Sequence, residues 1–243
     1  MPELPLPPTE LTKLVGHADA SGFDNPTGAD EFPGINSSHV LDIGCGCGRI
    51  ARRLMQQLVP PARYLGVDIN KRMLYWCSHN LLRENWEFKH IDIHNRSLNP
   101  EGTLERAALP AGSDQFSLAV AWSLFTHVLE RDLEYNLREA ARCIWPGGVL
   151  VSTWFMFDKT SMPFMHDFQN ALYINLDDPI NAVVYDKEFV RGAFTRAGLS
   201  IFSVDPPAVR GHQWVLRARK AVVAPHVEFP EDAAPVGVAR APL

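Results

Sequence analysis

The sequence predicts an α/β fold in which helices cover both faces of a mostly parallel β-sheet, and three observations support this. Segments typical of β-strands alternate with segments of helical periodicity, as they do in βαβ units. A glycine-rich stretch, LDIGCGCGRI (41–50), connects the first predicted strand to the first predicted helix. The 243 residues, 46% of them hydrophobic and 21% charged, are enough to bury the core of one large domain.

The individual elements follow from residue spacing and from the residues that end helices. Ile50, Leu54 and Leu58 recur at helical spacing, so they predict a helix directly after the glycines. Pro146-Gly147-Gly148 ends the helix before the fifth strand, and Gly198 ends the last helix. The predicted strands are 39–43, 63–69, 86–92, 115–122, 148–155, 199–204 and 213–220, and the predicted helices are 49–58, 71–83, 132–144 and 187–198.

The two ends of the chain differ in composition from the part between them. Residues 1–38 contain six acids and one lysine and are rich in Pro, Gly, Asp and Ser. We therefore expect a loosely ordered acidic leader that folds over another part of the protein. Residues 221–243 have a similar composition, and we expect a largely disordered tail there. The predicted domain is 39–220, with an insertion at about 154–185.

Charge and hydropathy exclude several kinds of partner. The net charge is −5, and outside the acidic leader the charges balance without any run of Lys and Arg, so we expect no nucleic acid partner. No apolar stretch approaches the ~18 residues of a membrane span, and no secretory signal is visible, so we expect a cytoplasmic protein with no membrane partner. The four cysteines lack C-x-x-C spacing and are expected to be reduced thiols.

The glycine-rich stretch predicts a ligand site at the carboxyl end of the first strand. Glycines there allow a tight turn and close approach of a ligand, and the following helix N-terminus favours a carboxylate or a phosphate. Arg49 stands where the dinucleotide fingerprint G-x-G-x-x-G needs its third glycine. Asp68, about 20 residues further on at the end of the second strand, is placed to accept hydrogen bonds from ribose hydroxyls. Together these residues predict a ligand that carries a nucleoside.

Simpler interpretations of the same residues remain open. Cys45 and Cys47 supply two of the four ligands that a zinc ion needs. Asp68 could cap the helix that begins near Asn70. An extended strand also places three ligand-type side chains on one face, namely His90, Asp92 and His94. Such alternation is typical of any half-buried strand, so we expect no metal site.

Six sequence blocks, taken in order, resemble the class I S-adenosylmethionine-dependent methyltransferases. They are VLDIGCGCGRIA, YLGVDINKRML, HIDI, DQFSLAVAWSLFTHV, LREAARCIWPGGVLVSTWF and YDKEFVRGAFTRAGLSI, and they cover roughly 39–204. The final QWVLRARK is similar to the last strand of that family. The resemblance implies a Rossmann-like sheet of seven strands with an antiparallel last strand, and S-adenosyl-L-methionine as the cofactor.

The resemblance also implies a role for individual residues. The methionine portion of the cofactor would contact the glycine loop and the end of the fourth strand, through Asp42, Gly44, Gly46, Gly48, Ala121 and Trp122. Asp42 would orient the ammonium group, Asp68 would hold both ribose hydroxyls, and Asp92 would accept the adenine amino group. Two apolar residues would pack beside the adenine, namely Ile69 and Ile93.

His127, just after the fourth strand, is the candidate catalytic base. An alcohol or phenol acceptor must lose a proton, and a neutral histidine near physiological pH can take it. An amine acceptor can react without such a base. A structural histidine that bonds the loop or caps the following helix is an equally open interpretation.

The insertion is rich in aromatic residues and methionine, which is typical of an apolar acceptor pocket or lid. A packed helical hairpin or a homodimer contact would have a similar composition. Aromatic faces there could also stabilise a sulfonium or amine cation. The candidate acceptor-binding residues are Trp122, Trp154, Phe155, His166 and Tyr185.

The predicted function is methyl transfer to a small-molecule acceptor, with a hydroxyl of a sugar or natural product as the leading candidate. The blocks WSLFTHV and PGGVLVSTWF resemble bacterial methyltransferases that act on small molecules, including sugars and natural products. An N- or C-methyltransferase and a non-catalytic S-adenosylmethionine-binding partner protein remain as alternatives. An NAD-dependent oxidoreductase is disfavoured because Arg49 breaks the glycine pattern.

Overall fold

The computed structural model describes residues 4–16, 23–25, 28–162, 164–207 and 212–220. The predicted tail, 221–243, lies outside these residues. The helices are α1 (Thr9–Thr12), α2 (Arg49–Met55), α3 (Lys71–Asn80), α4 (Glu130–Cys143) and α5 (Lys187–Arg196). The strands are β1 (His39–Ile43), β2 (Arg63–Asp68), β3 (Trp86–His90), β4 (Phe116–Ala121), β5 (Ile144–Phe157), β6 (Ala171–Tyr173), β7 (Val183–Asp186), β8 (Leu199–Asp205) and β9 (Trp214–Lys220).

The sheet confirms the predicted α/β class and its Rossmann-like order. Strands β3, β2, β1, β4 and β5 are parallel neighbours, and β9 lies antiparallel between β5 and β8. The chain runs outward from β1 to β3 and then crosses back to β4, so the strand order reverses between β1 and β4. Ligands of open α/β sheets bind at the carboxyl ends of the strands at such a reversal. The glycine loop begins there.

Two apolar layers cover the sheet, one on each face, because alternate residues of every strand point to opposite sides. On one face, Leu41 and Ile43 of β1 belong to an apolar cluster that includes residues of α4 and α5. On the other face, Val40 belongs to a cluster that includes residues of α2 and α3. Among the described residues, no helix is long and apolar enough to cross a membrane.

Strand β5 is longer than the predicted strand 148–155. It begins at Ile144, which pairs with Phe116 of β4, and the register then shifts before Val149 pairs with Leu118. Gly147, at φ 83°, lies within this irregularity, so the Pro-Gly-Gly segment ends α4 without leaving the sheet. At its other end, β5 reaches Phe157 because 155–157 pair with β7.

The insertion is correspondingly shorter than predicted. Residues 154–157 belong to β5 and 183–186 to β7, so 158–182 connect the two strands. The described residues of this segment contain β6 and two 3₁₀ turns but no α-helix, which excludes a helical hairpin there. Strand β6 pairs antiparallel with β7 and extends the sheet beyond the seven expected strands.

Candidate active site

The glycine loop has the backbone conformation that only glycine adopts readily. Gly44, Gly46 and Gly48 have φ values of 75°, 55° and 78°. The Gly44 N–H donates to the Val67 carbonyl at 2.8 Å, which joins the loop to the end of β2. A Cβ atom on Gly48 would lie 2.5 Å from Leu81 Cδ1, so the side of the loop that faces α3 is closely packed.

Two side chains from distant segments flank the loop. A Cβ atom on Gly44 would lie 3.2 Å from Leu124 Cδ1, in the segment that follows β4. A Cβ atom on Gly46 would lie 3.1 Å from Val15 Cγ1, in the leader. The loop therefore lies between the segment after β4 and the described part of the leader.

Asp68 connects the glycine loop to the start of α3. Its Oδ2 accepts the Gly46 N–H at 2.8 Å, and its Oδ1 accepts the Asn70 N–H at 2.8 Å. Burial raises the pKa of this carboxyl, and the hydrogen bonds from Asn70 and Gly46 act against the rise. The helix cap is Asn70, whose side chain accepts the Met73 N–H at 3.0 Å. Asp68 is therefore not the cap, and its carboxylate lies at the carboxyl end of β2.

Asp42 lies within the sheet layer and is 1% exposed. Its Oδ2 accepts the Tyr64 hydroxyl at 2.7 Å. Burial raises the pKa of the Asp42 carboxyl to about 7, while the Tyr64 hydrogen bond and the Arg49 charge act in the opposite direction. A cation above the loop would favour the ionised form of this carboxyl.

Asp92, at the predicted adenine end, is held by its own loop. Its Oδ2 accepts the Thr103 hydroxyl at 2.6 Å, and its Oδ1 accepts the Asn99 amide at 3.4 Å. These hydrogen bonds lower the pKa of the Asp92 carboxyl. The Asn99 amide also donates to the Ile93 carbonyl at 2.9 Å. Ile69 is half-buried at the end of β2.

The end of β4 contributes one buried residue and one half-buried residue to this side of the sheet. Ala121 is fully buried, and the half-buried Trp122 ring lies under the Arg49 guanidinium, 5.7 Å from it. Ser123 follows at a φ of 59°, and its N–H donates to Thr153 Oγ1 at 2.7 Å. The chain thus turns sharply as it leaves the sheet, and the segment with Leu124 follows.

His127 is exposed and is tied to the insertion. Its Nδ1 lies 2.8 Å from the Ile180 carbonyl oxygen. A carbonyl only accepts, so Nδ1 carries the proton and the Nε2 lone pair of the neutral ring is left for another donor. The hydrogen bond to Ile180 holds the His127 ring in place, and it also fixes the tautomer in which Nε2 can accept a proton.

The structure corrects two predicted acceptor contacts. Trp154 is fully buried, stacks on Phe125 with ring centroids 4.4 Å apart, and donates its indole N–H to Ser152. Tyr185 is also fully buried, and its hydroxyl donates to the Val128 carbonyl. Both side chains belong to the core and have no surface for an acceptor. The prediction was wrong because an acceptor pocket and a core favour the same residue types.

Other predicted acceptor residues lie nearer to solvent. Phe155 is half-buried, and the exposed His166 ring stacks on Phe168 at 5.1 Å. An open cavity of about 530 Å³ lies between the insertion and the first turns of α4 and α5. It is lined by Leu129, Glu130, Arg131, Glu134, Tyr173 and Phe189.

The cysteines of the glycine loop pack as apolar side chains. Cys45 and Cys47 are buried free thiols, and burial raises the pKa of Cys47 to about 11. Within the described ranges, no three His, Cys, Asp or Glu side chains lie close enough together to hold a metal ion.

The described part of the leader contributes residues that sequence reasoning missed. Val15 contacts the loop, and the buried Arg52 of α2 binds the leader. Helical periodicity does not mark Arg52, since its partners are more than 25 residues away. The excess of acidic residues in the leader was the available sequence signal for this contact, because carboxylates pair favourably with arginines such as Arg52 and Arg53.

Comparison with known proteins supports the family that the sequence resembles. The profile described as a methyltransferase domain matches residues 40–148, from β1 to the first half of β5. This match covers a little less than half of the chain, and together with the fold it supports a class I S-adenosylmethionine-dependent methyltransferase. The match includes the glycine loop, Asp68, Asp92 and His127. S-adenosylmethionine is the cofactor of this family, as the sequence resemblance implied.

Three relatives illustrate how widely this methyltransferase fold matches. The chain is 26% identical over 201 residues to a malonyl-[acyl-carrier protein] O-methyltransferase of Dechloromonas aromatica, which is 81% of this chain and 66% of that protein. It spans just under two thirds of that relative. A putative methyltransferase of Haloferax volcanii, solved in complex with the Trm112 activator, matches with a TM-score of 0.59, 17% identity and coverage of 91% and 97%. An S-adenosylmethionine-dependent methyltransferase of Mesorhizobium loti matches with a TM-score of 0.55, 17% identity and coverage of 85% and 100%.

Proposed function

We propose that this protein transfers the methyl group of S-adenosylmethionine to an oxygen atom of a small-molecule acceptor. The observation that carries the proposal is the contact of Asp68 with Gly46, which places a carboxylate beside a glycine loop where the strand order reverses. Asp68 would accept the ribose hydroxyls. Gly44 and Gly46 would let the methionine portion approach the backbone closely, since neither residue carries a Cβ atom.

The charges near the loop suit a sulfonium cofactor better than a dinucleotide. Asp42 and Asp68 are both buried carboxyls at this end of the sheet. An ammonium or sulfonium cation, which a dinucleotide does not carry beside its pyrophosphate, would be attracted to them. When bound, S-adenosylmethionine supplies an electrophilic methyl group, and the protein holds the acceptor oxygen in line with it.

An oxygen acceptor is supported by the Dechloromonas relative, whose name specifies an O-methyltransferase. Two kinds of oxygen remain, and they make different demands on His127. A hydroxyl of a sugar or natural product needs a base, and His127 presents Nε2 in the required tautomer. A carboxylate, as malonyl implies, is already deprotonated and needs no base.

A free small molecule is favoured over an acyl carrier protein. Residues 158–182 contain four aspartates and one lysine. Exposed apolar side chains lie among them, including Phe164 and Phe168, which are 96% and 76% exposed. An acidic carrier surface would be repelled by such a segment. The same apolar side chains would also suit a contact between two copies of the chain.

The first experiment is a thermal shift with S-adenosylhomocysteine, with NAD as the control ligand and Asp68→Ala as the control protein. Ligand at 100 times its Kd stabilises by about 2.7 kcal/mol, which raises Tm by roughly 5 to 10 °C for a protein of this size. A rise with S-adenosylhomocysteine alone, absent in Asp68→Ala, is expected. No rise at millimolar ligand would overturn the proposal.

The second experiment separates the two acceptor classes. Methyl transfer from labelled S-adenosylmethionine is measured on matched panels of alcohols and carboxylic acids. His127→Ala is expected to lower kcat on a hydroxyl by about 10²- to 10⁴-fold and to leave carboxylate methylation unchanged. Full activity of His127→Ala on a hydroxyl acceptor would remove the base assignment, and transfer only to amines would remove the oxygen acceptor.

A further inference from the structure

A third apolar cluster lies apart from the two layers that cover the sheet. Its buried members are Leu11 and Phe23 of the leader, Cys47 of the glycine loop and Met73 of α3. Val15, Trp76 and Leu98 are half-buried and pack against them. Three cluster members outside the leader lie close in sequence to a predicted cofactor contact. Cys47 adjoins Gly46, Met73 lies in the helix that begins after Asp68, and Leu98 lies in the loop that contains Asp92. We call the leader residues 4–16 and 23–25 the strap.

The strap is held to the body by a buried arginine. The Arg52 side chain is 3% exposed and donates from Nε to Asp24 Oδ1 at 2.8 Å. Its Nη1 donates to the carbonyl oxygens of Leu4 and Pro5. One guanidinium therefore binds both ends of the strap, and its planar set of donors suits several acceptors at once.

Neighbouring residues of α2 and the turn after it complete this anchor. Gln56 donates to Asp24 at 3.0 Å and accepts the Asn25 N–H at 2.7 Å. Arg53 pairs with Glu31 at 2.9 Å, which extends the contact along the leader. Three acids of the leader thus face these basic and amide side chains, namely Asp24, Asp30 and Glu31.

A second ion pair between the strap and the body is exposed and provides a natural comparison. Arg72 of α3 pairs with Glu10 at 3.2 Å, and both side chains are 69% exposed. Such pairs contribute little because water and salt screen them. The Arg52 side chain is buried, so its loss removes the donor that the Leu4 and Pro5 carbonyls share and leaves Asp24 with the Gln56 amide.

We propose that Arg52 is a positioning residue for the cofactor, because it holds the strap closed against the glycine loop. This inference rests on the proposed function. Val15 lies against Gly46, so a ligand seated on the loop has the strap as one wall. The cofactor product leaves when the strap moves away, and Arg52 sets how often that happens.

The test measures how fast tritiated S-adenosylhomocysteine dissociates from the full-length protein after rapid dilution and filtration. Arg52→Ala is expected to release it at least about tenfold faster, since the strap loses the side chain that binds both of its ends. Arg52→Lys is expected to be intermediate, because an ammonium cannot span the same acceptors. Arg72→Ala is the matched control and is expected to release at the wild-type rate.

A second variant keeps the test independent of any folding defect in Arg52→Ala. Val15→Asp changes a half-buried strap residue and leaves Arg52 and its partners in place. Faster release from a protein whose ligand-free form still unfolds cooperatively is expected, and a general folding defect would not produce that combination. Wild-type release rates in Val15→Asp and Arg52→Lys would overturn the strap proposal alone. Absence of S-adenosylhomocysteine binding to the wild type would overturn the proposed function and, with it, this inference.

Discussion

The proposed cofactor side and the proposed acceptor side of this methyltransferase are built in opposite ways. On the cofactor side, backbone groups and buried carboxylates define the site, as in the contacts of Asp68 with Gly46 and Asn70. On the acceptor side, 158–182 exposes large apolar side chains such as Phe164 and Leu176. Substitutions in a site made from backbone groups are expected to reduce stability and binding. Substitutions in a site made from exposed side chains are expected to change stability little.

The largest effect that tests this contrast is expected at Gly48. Gly48→Ala places a methyl group 2.5 Å from Leu81 Cδ1 at a φ of 78°. We expect a loss of about 2 to 5 kcal/mol of unfolding free energy, from the left-handed conformation and from overpacking together. Chemical denaturation measures it, and S-adenosylhomocysteine binding should fall in parallel.

Gly147→Ala is the matched control for that substitution. Gly147 has a φ of 83°, but no atom lies within 4 Å of its added Cβ. Only the conformational cost of about 1 to 2 kcal/mol applies there. Equal losses in the two variants would show that the cofactor loop is no more tightly packed than a solvent-facing turn, and the contrast would then fail.

A smaller effect is expected from the buried carboxyl beneath the loop. Burial raises the pKa of Asp42 from 3.8 to about 7 in the folded protein, so the folded state binds this proton more tightly than the unfolded chain does. The resulting stabilisation is complete below about pH 4 and is lost as the pH rises through about 7. Tm should therefore decline over this range beyond what other groups cause.

Asp42→Asn isolates that contribution, because an amide oxygen can still accept the Tyr64 hydroxyl. We expect a flatter dependence of Tm on pH in Asp42→Asn than in the wild type between about pH 4 and 7.5. Parallel curves would show that Asp42 keeps an ordinary pKa and is better solvated than its burial indicates.

The smallest effect on stability is expected on the acceptor side. Phe164→Ser and Phe168→Ser should change the unfolding free energy by less than about 0.5 kcal/mol and leave S-adenosylhomocysteine affinity unchanged. The KM for the acceptor should rise. Leu58→Ser, at a side chain that is 88% exposed near the end of α2, is the control and should change neither quantity. A drop in cofactor affinity in either Phe variant would contradict the separation of the two sides.

The sequence was informative where the relevant contacts are local. The bounds of β1 match the prediction, because alternating apolar residues and the following glycines lie within ten positions. The pairing that carries β5 through Pro146 and on to Phe157 depends on β4 and β7, which local patterns do not specify. The insertion composition could not separate core from pocket, which is why Trp154 was misplaced.

The candidate site divides in the same way. The position of the Asp68 carboxylate could be predicted from the end of β2 and from its spacing to the glycines. That Asn70 caps α3 could not be predicted, because Asp68 instead accepts a hydrogen bond from Gly46 of the glycine loop. Arg52 could not be assigned because its partners Leu4, Pro5 and Asp24 lie 28 to 48 positions away. The acidic composition of the leader indicated that it contacts basic residues, but it did not indicate which basic residues these are.

The change of partner along β5 also makes this chain a convenient recipient for grafted segments. Residues 149–154 are bonded to β9, and 155–157 are bonded to β7, so 158–182 leave and re-enter the sheet at two adjacent, paired strands. A foreign segment joined at Asp158 and Ala182 would inherit fixed end points. Variants of the proposed acceptor segment can therefore be built between two anchored strand ends, with the proposed cofactor half of the chain unchanged.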